Sequence, residues 1–152
     1  MKSKNEKWIQ HFLIIALILM VVFLGQSALG KLTEAYKRAY DTSIMQMSLL
    51  SFLIFGGIGV LLGVEHLISE YNKVGKWTIS HSKLVFMGIP SLYFSLAIPL
   101  SFLPILHDTF LLYPISILMR YDGEGFLTIF KVIFGYTIIT SFYKKEFRVL
   151  NR

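Results

Sequence analysis

Lys131 is the residue with the sharpest chemical claim. It sits five residues into the apolar run 126–143, and a lysine at the centre of a bilayer costs roughly 2.5–3.5 kcal/mol on insertion scales. At 100° per residue, Glu124, Thr128, Lys131 and Gly135 share one helical face, and Asp122 lies close in sequence. Two chemistries follow. One is an ammonium that contacts a substrate or an ion. The other, preferred here, is structural: about 8 Å from the start of its run, the lysine stem snorkels outward to water or pairs with Asp122 and Glu124.

The remaining titratable groups form weaker sets. Glu65, His66, Glu70 and His81 fall near one end of the apolar runs, and His107-Asp108 near the other. A carboxylate with an imidazole relays protons or binds a metal. Neighbouring residues on a helix, however, point about 100° apart, and the chain has no HExxH or comparable ligand spacing. Ordinary interfacial side chains are the simpler reading, with no metal site and no cofactor. No serine stands in a GxSxG elbow. Gly56-Gly57-Ile58-Gly59 lies inside an apolar run without the context of a phosphate loop. With no cysteine, thiolate catalysis, disulfides and Cys-ligated metals are excluded. No catalytic set is marked, and the chain is expected not to be an enzyme.

The elements that hold these residues are hydrophobic. Of 152 residues, 55% are apolar and 16% charged, against about 25% charged in an ordinary soluble domain. The charges cluster between long apolar stretches. That pattern predicts an all-α integral membrane bundle of four transmembrane helices, a single domain spanning about 8–29, 44–67, 84–106 and 126–143. Residues 110–119 are too short to span and contain Pro114; they predict an interfacial or re-entrant segment. Residues 120–125, Arg-Tyr-Asp-Gly-Glu-Gly, predict a turn. Pro90 and Pro99 predict kinks in the third span, and Pro104 its end.

The N-terminal region has two readings. Lys2, Lys4 and Lys7, an apolar run over 13–24 and Ala28-x-Gly30 have the three parts of a secretory signal peptide. The preferred alternative is a retained first span.

The run 44–67 is the expected centre of the bundle. Ser48, Ser51, Gly59 and Gly63 share a face with Phe55 and His66, and Gly56 lies nearby. Small residues let helix backbones approach closely in lipid. Gly88, Ser91 and Ser95 make a second such face. Packing within the protein is the first use of these faces, a dimer contact the second and a substrate path the third.

The net charge of +6 belongs to residues that flank the spans, so lipid headgroups and not nucleic acid are the expected counterpart. Lys2, Lys4, Lys7, Lys73, Lys76, Lys83, Lys144, Lys145, Arg148 and Arg152 fall on one side of a four-span protein. Lys31, Lys37, Arg38 and Arg120 fall on the other. The excess predicts a cell-membrane protein with both termini in the cytoplasm. Three functions fit such a chain. The leading one is an accessory, regulatory or immunity-type factor that contacts another membrane protein, or itself, through its helices. The second is a homo-oligomeric transporter or channel subunit with Lys131 in its path. The third is an enzyme acting on lipid.

Overall fold

The computed structural model describes residues 4–38, 43–103 and 110–145. The chain is mostly helical, as expected. Helix α1 covers Lys4–Arg38 and α2 covers Ser43–Tyr71. A short strand β1, Lys76–Ile79, is followed by a helical turn α3, His81–Lys83, a π-helical turn Leu84–Gly88, and the short helices α4, Ile89–Ser95, and α5, Ala97–Ser101. A 3-10 turn, Phe110–Leu112, leads into α6, Tyr113–Thr140, and strand β2, Phe142–Lys145, follows.

Two helices, α1 and α2, are long and apolar enough to cross a membrane, over His11–Lys31 and Met45–Tyr71. The expected third span is not one helix, and proline chemistry explains how it is divided. Proline lacks the N–H that an interior helical position must donate, but the first turn of a helix needs no such donor. Pro90 is accordingly the second residue of α4, preceded by the π-turn, and Pro99 is the third residue of α5, which begins after Leu96 leaves helical geometry at φ −96°, ψ 12°. The expected kinks are therefore a wide turn and a break. Pro104, with His107 and Asp108, lies outside the described residues.

The same rule corrects the expectation for 110–125. Pro114 is the second residue of α6 and starts a helix instead of interrupting one, and the expected turn at 120–125 lies inside that helix. Ile115 and Leu127, on either side of the segment, are both buried in one cluster with Ala97. Packing at both ends offsets the roughly 1 kcal/mol that each of Gly123 and Gly125 costs a helix. The apolar part of α6 is Gly125–Thr140, shorter than a full crossing.

The contacts fix the direction of every element. His11 meets Glu65, and Gly25 packs on Ile54, so α1 and α2 are antiparallel. On α2, Ser51, Gly56, Gly59 and Gly63 meet Lys131, Gly135, Val132 with Tyr136, and Ile139 of α6. Both numbers rise together, so α2 and α6 are parallel, and theirs is the most extensive interface among the described residues. The connection between two parallel helices has to return along them. Gly88 faces Thr137, and the Phe94 ring stacks on Phe130 with centroids 4.6 Å apart. The α3–α5 segment therefore runs antiparallel to α6.

The strand pair was not expected. Lys76 to Ile79 pair antiparallel with Lys145 to Phe142, joining the stretch between α2 and α3 to the segment that follows α6. Trp77, Thr78, Ile79, Phe142 and Tyr143 are good strand formers, but a two-stranded ribbon is marginal alone. Glu70 anchors it. Its carboxylate is buried, with the residue 5% exposed, and accepts from Lys73 Nζ and from the Lys144 backbone N–H at 2.9 Å. Lys144 Nζ donates in return to the carbonyls of Tyr71 and Lys73 at 2.7 and 2.8 Å, and Lys83 Nζ to Thr140 O at 3.3 Å. Both lysines thus satisfy carbonyls at helix C-termini, where cations are favoured. Glu70→Ala leaves the Lys144 N–H without its acceptor and is expected to lower stability by about 2 kcal/mol. Urea or thermal unfolding in mild detergent measures it, with exposed Glu65→Ala as the control.

Candidate functional site: a lysine-walled cavity

The small-residue faces resolve into one seam and one set of satisfied hydroxyls. On α2, Gly59 meets the backbone of α6 so closely that a Cβ there would overlap Val132 O and come within 2.8 Å of Tyr136 N. A Cβ on Gly63 would come within 2.9 Å of Ile139. Gly56 has room, its nearest atom being Lys131 O at 3.8 Å. On α6, a Cβ on Gly135 would overlap Gly56 O. Gly135 is a further member of the seam, although its spacing also puts it on the polar face of Lys131. On α4 and the turn before it, Gly88, Ser91 and Ser95 are all buried. Ser91 Oγ donates to Met87 O at 2.6 Å and Ser95 Oγ to Leu92 O at 2.8 Å, so these hydroxyls are absorbed by their own helix.

Ser48 and Ser51 lie elsewhere, beside Lys131. The continuous α6 changes the position of this lysine. It stands nine residues before Thr140 and eighteen after Tyr113, about 14 Å from one helix end and 27 Å from the other at 1.5 Å per residue. Lys131 is 3% exposed, and its Nζ donates to Ser51 Oγ of α2 at 2.7 Å. It reaches across the bundle and does not snorkel along it. Asp122 and Glu124 belong to the same helix, but their side chains lie outside the described residues.

Lys131 forms part of the wall of a cavity of about 640 Å³ between α1, α2, α5 and α6. Thr33, Ser48, Ser51 and Thr128 add polar atoms, and Met47, Phe55, Ile98 and Leu127 close the apolar sides. Ser48 is 5% exposed, and its Oγ has no hydrogen-bond partner among the described residues. The enclosure is mostly apolar, with its polar atoms on α1, α2 and α6.

The acid–imidazole residues do not form one cluster. Glu65 reaches His11 of α1 at 3.8 Å on the surface, Glu70 serves the strand pair, and His81 is exposed. Among the described residues no three His, Asp or Glu side chains could share a metal ion. Comparison with known protein families, with curated proteins and with solved structures gives no match.

Proposed function

We propose that this chain is a four-pass membrane protein with both termini in the cytoplasm, acting without chemistry of its own as an accessory or regulatory factor that docks on a partner membrane protein through α1. The alternating directions of α1, α2, α3–α5 and α6 support the four passes: where α2 crosses, the returning segment and the parallel α6 are carried across with it. The strand pair and its lysines then belong to the cytoplasmic face, in keeping with the excess of Lys and Arg there. Single-cysteine labelling of this cysteine-free chain tests the orientation. In intact cells an impermeant thiol reagent is expected to label Arg38→Cys, and Gly75→Cys only after permeabilisation; the reverse pattern overturns it.

One observation carries the docking role: α1 is apolar yet almost unpacked, with 6% of its span window buried. The seam glycines of α2 are spent inside the chain, so they leave no contact for a partner. The outer face of α1 does. Leu19, Phe23, Gln26 and Gly30 share it, all exposed, and nothing stands within 4 Å of a Cβ on Gly30. Lipid tails offer the Gln26 carboxamide no hydrogen bond, whereas a neighbouring helix does, and Gly30 lets that helix approach. A photoreactive benzoylphenylalanine at Phe23 is expected to give one discrete adduct with a different membrane protein, lost in Gln26→Leu. Adducts with lipid alone would remove this reading, and adducts with a second copy would replace it by self-association.

The transport reading stands second, supported by the depth of Lys131 and its cavity. Nothing among the described residues favours a lipid-modifying enzyme.

A further inference from the structure

The strand pair changes character along its length. Its register sets Ile79 against Phe142 next to α3 and α6, then Trp77 against Lys144, and Lys76 against Lys145 at the far end. At about 3.3 Å per residue, the lysine pair stands about 10 Å beyond the apolar pair. The ribbon climbs beside the last two turns of α2. Gly63 is level with Ile139 near the end of α6, whereas Glu70, two turns later, accepts from the Lys144 N–H. The change in character therefore runs along the axis of the span and away from its centre. Ile79 and Phe142 are each 38% exposed and Trp77 43%, so the bundle does not cover them. Lys144 Nζ lies 5.2 Å from the centroids of both the Tyr71 and the Trp77 rings, which holds the two aromatics together. Apolar, aromatic and cationic is the order met on leaving a bilayer, from acyl chains through the aromatic belt to the headgroups. Lys76 and Lys145 are both exposed, and neither makes an ion pair among the described residues. Like charges directly opposite each other destabilise a strand pair, and an anion between them removes that cost.

We propose that the strand pair is a binding site for an anionic phospholipid, its phosphate between Lys76 and Lys145 and its acyl chains beside Ile79 and Phe142. Side chains alternate between the faces of a ribbon, so the lysines leave from the face opposite Trp77, Ile79 and Phe142. Their flexible four-carbon stems are long enough to bring both ammoniums to one phosphate at the ribbon's end. Lysines near a membrane surface favour anionic over zwitterionic lipid, and the ladder holds these two in register. The apolar pair selects a lipid over a soluble phosphate, since it places the site at the edge of the hydrocarbon. The site rests on the reading that α2 crosses a bilayer. It is independent of which side the ribbon faces and of docking through α1.

Quenching of Trp77 fluorescence by brominated lipids tests the site in the full chain, reconstituted in nanodiscs. The chain has two tryptophans, so Trp8→Phe leaves Trp77 as the reporter. Brominated phosphatidylglycerol is expected to quench at a several-fold lower mole fraction than brominated phosphatidylcholine. Lys76→Gln with Lys145→Gln is expected to make the two lipids equal without lowering Tm, because repulsion across the ladder is removed. Lys76→Arg with Lys145→Arg is expected to keep the preference, as is Lys31→Gln at the opposite end of the bundle. Inorganic phosphate at constant ionic strength is expected not to compete. Equal quenching in the parent, a preference that survives the double glutamine variant, or displacement by inorganic phosphate overturns the proposal. Leu53→Cys, on the exposed face of α2, separates the remaining outcomes. No quenching by either lipid while this cysteine is shielded from a water-soluble thiol reagent overturns the lipid site alone. Ready labelling of the cysteine overturns the membrane crossing on which the site rests.

Discussion

Gly59→Ala and Gly135→Ala are each expected to destabilise the fold by about 3 kcal/mol, whereas Gly57→Ala is expected to be neutral or to stabilise it by about 0.5–1 kcal/mol. The three substitutions add the same methyl group to helical glycines in apolar surroundings, so propensity alone predicts a small gain for all of them. Packing separates them. The methyl at 59 lands on the backbone of Val132, and the methyl at 135 lands on the Gly56 carbonyl. A backbone atom cannot rotate away as a side-chain tip can, so α2 and α6 must separate along their whole contact. Overpacking of this kind costs typically 1–3 kcal/mol, and the close dispersion contacts of the seam are lost with it. At Gly57 nothing lies within 4 Å, and Gly56 meets only an ordinary contact at 3.8 Å. Unfolding in SDS from mild detergent measures all three variants. Similar stabilities across the set would show that α2 and α6 are not joined through this seam.

The sequence carried that seam more clearly than anything else, because small residues at three- and four-residue spacing in an apolar run allow few other uses. Ser48, Ser51, Gly59 and Gly63 do share a face, but the face divides in two. The glycines meet the backbone of α6, and the serines line a cavity with its lysine. No periodicity distinguishes these ends, since the difference lies in which residues of a distant helix stand opposite. The strand pair escaped for the same reason: Trp77–Ile79 and Phe142–Tyr143 are each too short to show a period, and their pairing spans the whole intervening chain. The prolines were legible as interruptions but not as helix starts. Pro114 is the instructive case, because the Asp, Glu and Gly residues after it suit a turn locally. The burial of Ile115 with Ala97 and Leu127, invisible without the fold, holds the helix through them.

That longer helix reverses the expectation for conservative substitution at Lys131. A lysine near a membrane boundary would tolerate arginine, since either stem snorkels to water. Buried at 3% exposure and pointed at Ser51, Lys131 does not have that exit. The guanidinium is planar and larger, and its donors form a rigid fork that differs from the ammonium fitted to Ser51. Lys131→Arg is therefore expected to cost about 1.5–3 kcal/mol, the range for a hydrogen bond to a charged group, because the buried cation loses its fitted bond to Ser51. Lys131→Met keeps length and flexibility and removes the charge, while the freed Ser51 hydroxyl can turn to a carbonyl of its own helix. It is expected to fold within about 1 kcal/mol of the parent. Thermal unfolding of the two variants side by side decides between the geometries. Arginine as stable as the parent would return Lys131 to a boundary position with access to water. Methionine well below arginine would show that the ammonium itself holds the helices together.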